Sequence, residues 1–132
     1  MKIQSKCKVI GDSGCLAFIY LWCAGLPESL LVSEFDTLLS TGIVNKDCTV
    51  QSAKRFLAHF GINADVSKSC TAPADGSRYA ARWAHNGFVH YVGMVNGKVV
   101  ENTLDYSHCV SEGKIDTGDP DNPPYRIITI QR

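Results

Sequence analysis

The chain reads as an α+β domain, with helices first and an antiparallel sheet after them. Three observations point there. Up to Phe60, apolar residues recur at helical spacing. After Gly61 they fall in short runs suited to strands. Two such runs flank Asn96-Gly97, the dipeptide best suited to a tight hairpin. Helices and strands kept in separate stretches imply segregated layers rather than alternating βαβ units.

Each element has its own signal. Residues 8–10 read as a short extended lead-in, followed by the turn Gly11-Asp12-Ser13-Gly14. Asp12 or Ser13 can cap a helix that starts near Cys15 and runs to about Ala24. That helix is apolar on nearly every side, which implies burial all round, and Gly25-Leu26-Pro27 ends it. Leu30, Leu31, Phe35, Leu38 and Leu39 predict a second helix over residues 28–40. Thr49 is the expected cap of a third helix over residues 50–60, with Ala53, Phe56, Leu57 and Phe60 inward. Residues 62–66, 78–83, 88–95, 98–101 and 125–131 are the expected strands. Residues 69–76 and 116–124 are the expected loops.

With 132 residues and no repeat, low-complexity tract or linker, one domain over residues 1–132 is expected. Apolar residues make up 45% and charged residues 20%, enough for a packed core. Lys+Arg and Asp+Glu are 13 each. That balance argues against a nucleic-acid partner or an anionic membrane held by bulk charge. The longest apolar run is far shorter than the ~18 residues of a membrane helix. The polar, basic start lacks the features of a signal peptide, so a cytoplasmic chain with free thiols is expected.

The six cysteines are Cys7, Cys15, Cys23, Cys48, Cys70 and Cys109. None has the Cys-x-x-Cys spacing of a zinc or thioredoxin-like site. Cys23 and Cys48 read as packing residues. Only Cys7, Cys70 and Cys109 lie where a bridge would be entertained.

Cys15 stands out because it opens a helix. The first N–H groups there lack partners and the helix dipole adds positive potential. Both favour a thiolate, and the same N–H groups can hold an oxyanion. A thiol nucleophile needs a base. His59 reads as a helix-face residue, His85 as a turn residue and His108 as a loop residue. His90 lies in an apolar strand and becomes the candidate base. The return strand after Asn96-Gly97 ends at Glu101-Asn102, so Asn102, with Asp105 in reserve, can orient the imidazole. Tyr20, Trp22, Trp83 and Tyr91 read as core residues that could also line a groove.

A Cys at a helix start, a His on a later strand and an Asn past the next strand resemble the papain-like cysteine peptidases. Val99-Val100-Glu101-Asn102-Thr103-Leu104 is similar to the papain pattern in which a β run ends in Asn-Ser-Trp-Gly, with Leu104 replacing the Trp. Gly14-Cys15 with an apolar helix, His90-Tyr91-Val92-Gly93 and the Asn-Gly hairpin resemble the peptidases that cleave double-glycine leaders. Gly25-Leu26-Pro27 resembles the helix end of bacterial cell-wall cysteine peptidases. Across nearly the whole chain, Gly14-Cys15, the stretch Gly42-Ile43 to Cys48, and the late His strand resemble a small uncharacterised family of phages and spirochaete plasmids.

The resemblance implies a papain-like fold, with the Cys15 helix packed on the sheet that carries His90. It implies hydrolysis of a peptide or amide bond through a Cys15-His90-Asn102 triad and a thioester, without cofactor or metal. A phage-type context implies a peptidoglycan stem-peptide substrate and release by a lysis route. Two departures stand against it. The family's oxyanion Gln falls six residues before the nucleophile, where this chain has Val9, and Gln4 is a weak substitute. Thr103 follows Asn102 where the leader peptidases favour Asp-Pro. A catalytically inactive binding module on the same fold is the second expectation. A metal site of Cys15 and His90 with Asp105 or His108 lacks paired-ligand spacing.

Overall fold

The structure is a computed structural model of the chain, and it describes residues 15–27, 29–45, 50–85, 88–101, 114–117 and 121–131. Cys15, His85, Phe88 and Val89 are described as backbone only. The described residues form an α+β fold of three helices and one six-stranded antiparallel sheet. The helices are α1 (Cys15–Cys23), α2 (Ser29–Ser40) and α3 (Ala53–His59). The strands are β1 (Ala64–Ser69), β2 (Tyr79–His85), β3 (Phe88–Val95), β4 (Lys98–Glu101), β5 (Lys114–Ile115) and β6 (Tyr125–Ile130).

The sheet runs β1-β6-β2-β3-β4, so β1 and β4 are its edges, and β5 continues along β2 beyond β6. Asn96 (φ 49) and Gly97 (φ 80) join β3 to β4, the pair of left-handed conformations that a two-residue hairpin requires.

Sheet alternation sorts the side chains into two faces. One face carries Tyr79, Ala81, Val92 and Met94 in a small core with Trp83, Val99, Ile115, Tyr125 and Ile127. On the other face, Ala64, Val66 and Ile128 join the larger core built from the three helices. Helix α1 is the centre of that core: Ala17 to Leu21 are all buried. Its all-round apolarity is explained by this sandwiching between the sheet and the other helices.

Ala80 and Gly93 are cross-strand partners, and they form a low lane for α1. A Cβ on Gly93 would sit 2.5 Å from a Trp22 ring carbon. Arg78 closes the far end of α1. Its guanidinium lies 4.6 Å from the Trp22 ring centroid and donates to the Trp22 carbonyl at 2.6 Å. A cation at a helix C-terminus offsets the partial negative charge there.

Several boundaries differ from the sequence expectation. Helix α3 starts at Ala53 rather than at 50, because Ser52, not Thr49, accepts from the Arg55 N–H and acts as N-cap. Val50 instead pairs with Val44 in an isolated bridge. Strand β1 starts two residues later than expected and reaches Ser69, drawn out by six continuous pairings with β6. Strand β5, which the sequence did not announce, is two residues held by Trp83 and Ala84.

Candidate functional site

Cys15 is the first residue of α1, as its capping signals predict. His90 lies in β3 and is 1% exposed. The two elements meet, but not through His90. Gly93 faces α1, so Tyr91 shares that face and His90, Val92 and Met94 project to the other. The cross-strand pairing of His90 with Trp83 belongs to the small core's side. The sheet therefore lies between α1 and the His90 side chain. The sequence expectation sets the imidazole on the α1 face instead. A strand of period two puts neighbouring residues on opposite faces, and the close fit of Trp22 on Gly93 selects which face α1 covers. Asn102 follows the last residue of β4. Asn102, Asp105, Gln4 and His108 lie outside the described residues, as do Cys7, Cys48 and Cys109.

What the sheet does present to α1 is cationic. Arg82 and Tyr91 are cross-strand partners, and Ala80 pairs with Arg126, so the two arginines and Tyr91 share one patch of this face. Both guanidinium groups are buried, Arg82 at 4% and Arg126 at 6% exposed. The Tyr91 hydroxyl accepts from Arg82 Nη1 at 3.5 Å and Arg126 Nη2 at 3.1 Å. Asn122 serves both: its carbonyl accepts from Arg82 at 2.6 Å and its Oδ1 from Arg126 at 3.0 Å. Asp116 meets Arg82 at 2.8 Å. Arg126 also meets the Pro123 and Tyr125 carbonyls and the Tyr20 hydroxyl, all neutral, and it makes no ion pair among the described residues.

Arg126 also lines a cleft of about 320 Å³ at the start of α1. Leu16 and Tyr20 form one wall, Val50 and Ala53 another, and Val66 and Lys68 of β1 a third. Burial pushes the Tyr20 phenol up to about 12, against the pull of the Arg126 guanidinium. Tyr20 is therefore a neutral hydroxyl near neutral pH. Among the described residues, the cleft has two cations and no carboxylate in its lining. That environment suits an anion, whether a bound one or a thiolate nearby.

Sequence reading singled out Tyr20 and Tyr91 but missed Arg82, Arg126 and Lys68. The missed signal was an arginine at an inward position of an apolar strand, as in Ala81-Arg82-Trp83 and Tyr125-Arg126-Ile127. An arginine is rarely buried without a specific partner.

Burial also sets apart Cys23, whose thiol is pushed up to about 12, while Cys70 is exposed. No group of three His, Cys, Asp or Glu converges as a metal site among the described residues. No helix there is long and apolar enough to cross a membrane. Comparison of the chain with protein-family models, with curated proteins and with solved structures finds no match.

Proposed function

We propose that this chain is a papain-like domain that binds a peptide-like anion at the start of α1, and does not hydrolyse it through a Cys15-His90 dyad. The papain-like reading draws support from three arrangements. Helix α1 begins at Cys15, it packs on an antiparallel sheet that carries His90, and β4 returns beside that strand to end just before Asn102. One observation carries the choice of binding over hydrolysis: His90 projects to the face of the sheet that α1 does not cover. A general base must come within hydrogen-bond reach, about 3 Å or one water, of the proton it takes.

The hydrolase reading stands second, favoured by Cys15 at a helix start beside a cleft whose lining is cationic. In that reading the Cys15 thiolate attacks a peptide or amide carbonyl, and the leaving amine departs after a base-to-acid proton transfer. Water then resolves the thioester. Asn102 or Asp105 orients His90, and Gln4 or helix N–H groups hold the oxyanion. Peptidoglycan stem peptides are its phage-type substrate. It requires β3 to be turned by one residue, which would carry every β3 side chain to the other face.

The two readings separate in one experiment. The full chain, Cys15→Ser and His90→Gln are incubated with peptidoglycan and with a peptide library, and products are read by mass spectrometry. Binding without cleavage, unchanged in Cys15→Ser, is the expected result. Cleavage that is lost in both variants overturns it and establishes the hydrolase.

A further inference from the structure

We propose that the cleft beside α1 receives the C-terminal carboxylate of an extended peptide, whose main chain docks on the edge of β1 that no described strand pairs. This rests on the binding reading above and names its ligand.

Two independent observations converge. The first is charge. Arg126 is buried with no carboxylate paired to it among the described residues, and its hydrogen bonds there go to neutral acceptors. A buried charge without a counter-charge is costly, and an incoming anion supplies one. Lys68, exposed and without an ion pair among the described residues, lines the same cleft. Tyr20 contributes a neutral hydroxyl, a donor that an anion can use without repulsion. Leu16, Val50, Ala53 and Val66 give the lining an apolar side beside Gln51, a side that can take an aliphatic last side chain.

The second observation is the strand itself. β1 is an edge of the sheet, bonded on one side to β6 along all six residues. No strand pairs with its other side among the described residues. An open edge is a template for an added strand, and main-chain hydrogen bonds then supply affinity without demanding a particular sequence. Val66 and Lys68 belong to both features: they are residues of the open strand and they line the cleft. A free inorganic anion would use the charge alone. A chain that ends in a carboxylate uses the charge and the edge together.

The test is a nuclear magnetic resonance titration of the full-length chain with Ac-Thr-Val-Thr-Val as the free acid. Its C-terminal amide, an analogue N-methylated at alternate peptide bonds, acetate and inorganic phosphate are run beside it. The free acid is expected to shift β1 amide resonances and to bind at least about tenfold more tightly than the amide, the worth of one charge-assisted contact. The N-methylated analogue loses binding to a similar extent. Lys68→Gln weakens the acid several-fold and leaves the amide unchanged. Lys68 is exposed, so the variant folds, and its spectrum verifies that. Equal binding of acid and amide overturns the carboxylate assignment. Acetate or phosphate binding as tightly as the peptide overturns the docking on β1. Absence of any shift at about 10 mM peptide overturns both. Each failure leaves the broader binding reading standing, whereas Cys15-dependent cleavage of the peptide overturns that reading itself.

Discussion

Trp22 sits directly over Gly93, so close that a single methyl group on Gly93 would collide with the indole ring. This contact seats α1 on β3 and decides which β3 side chains look toward the helices. Tyr91 does and His90 does not.

Gly93→Ala should therefore destabilise the fold by about 1–3 kcal/mol, the usual cost of overpacking. Urea denaturation measures it. Trp22→Leu in the same chain should recover part of the loss, because the smaller side chain vacates the contact. No recovery would mean that some other neighbour limits Gly93.

Arg82 ties the segment around Asp116 and Asn122 to the middle of the sheet. Arg82→Met should cost about 2–4 kcal/mol, since it removes the guanidinium donors from the Asp116 carboxylate and the Asn122 carbonyl. Asp116→Asn, which keeps an acceptor near a partly exposed position, should cost about 1–2 kcal/mol. Equal losses for the two would show that the ion pair, rather than the backbone acceptors, holds the segment.

The described thiols differ in environment. Cys70 is exposed, whereas burial raises Cys23 to about 12. Iodoacetamide at about pH 8 should label Cys70 at least about tenfold faster than Cys23, because the thiolate is the reacting form. Peptide mapping by mass spectrometry reads both sites at once. The same map includes Cys15: labelling of Cys15 at mildly acidic pH, ahead of Cys70, would strengthen the hydrolase reading.

Tyr20 gives stability a dependence on alkaline pH. Its folded value, about 12, lies above the ordinary 10.0. The stability it contributes is therefore complete below about pH 10 and is lost as pH rises toward about 12. The parent's urea midpoint should fall between about pH 9 and about pH 11, and the fall should be smaller in Tyr20→Phe, which has no phenol to ionise. Parallel curves would place the alkaline sensitivity elsewhere.

Much of the fold was legible in the sequence because local rules decided it. The helical spacing of Leu31, Leu38, Phe56 and Leu57 marked residues that are all buried. Asn96-Gly97 placed the β3–β4 hairpin to the residue, since few other dipeptides accept both left-handed conformations. The cap of α3 was misread because Thr49 and Ser52 are both good caps, and the Val44–Val50 bridge holds Val50 out of the helix. β5 was missed because two residues carry no periodicity.

The candidate site divides in the same way. The sequence by itself determined that Cys15 opens a buried helix and that His90 lies in an apolar strand. It determined the alternation along that strand, but alternation has no sign: it says that His90 and Tyr91 face opposite ways, not which of them faces α1. Only the tertiary structure decided that, through the Trp22–Gly93 contact. The gathering of Arg82, Tyr91 and Arg126 is also tertiary, because it joins β2, β3 and β6, with Tyr91 and Arg126 35 positions apart in the chain. Burial and charge at long range depend on which strands become neighbours, and no local pattern encodes that choice.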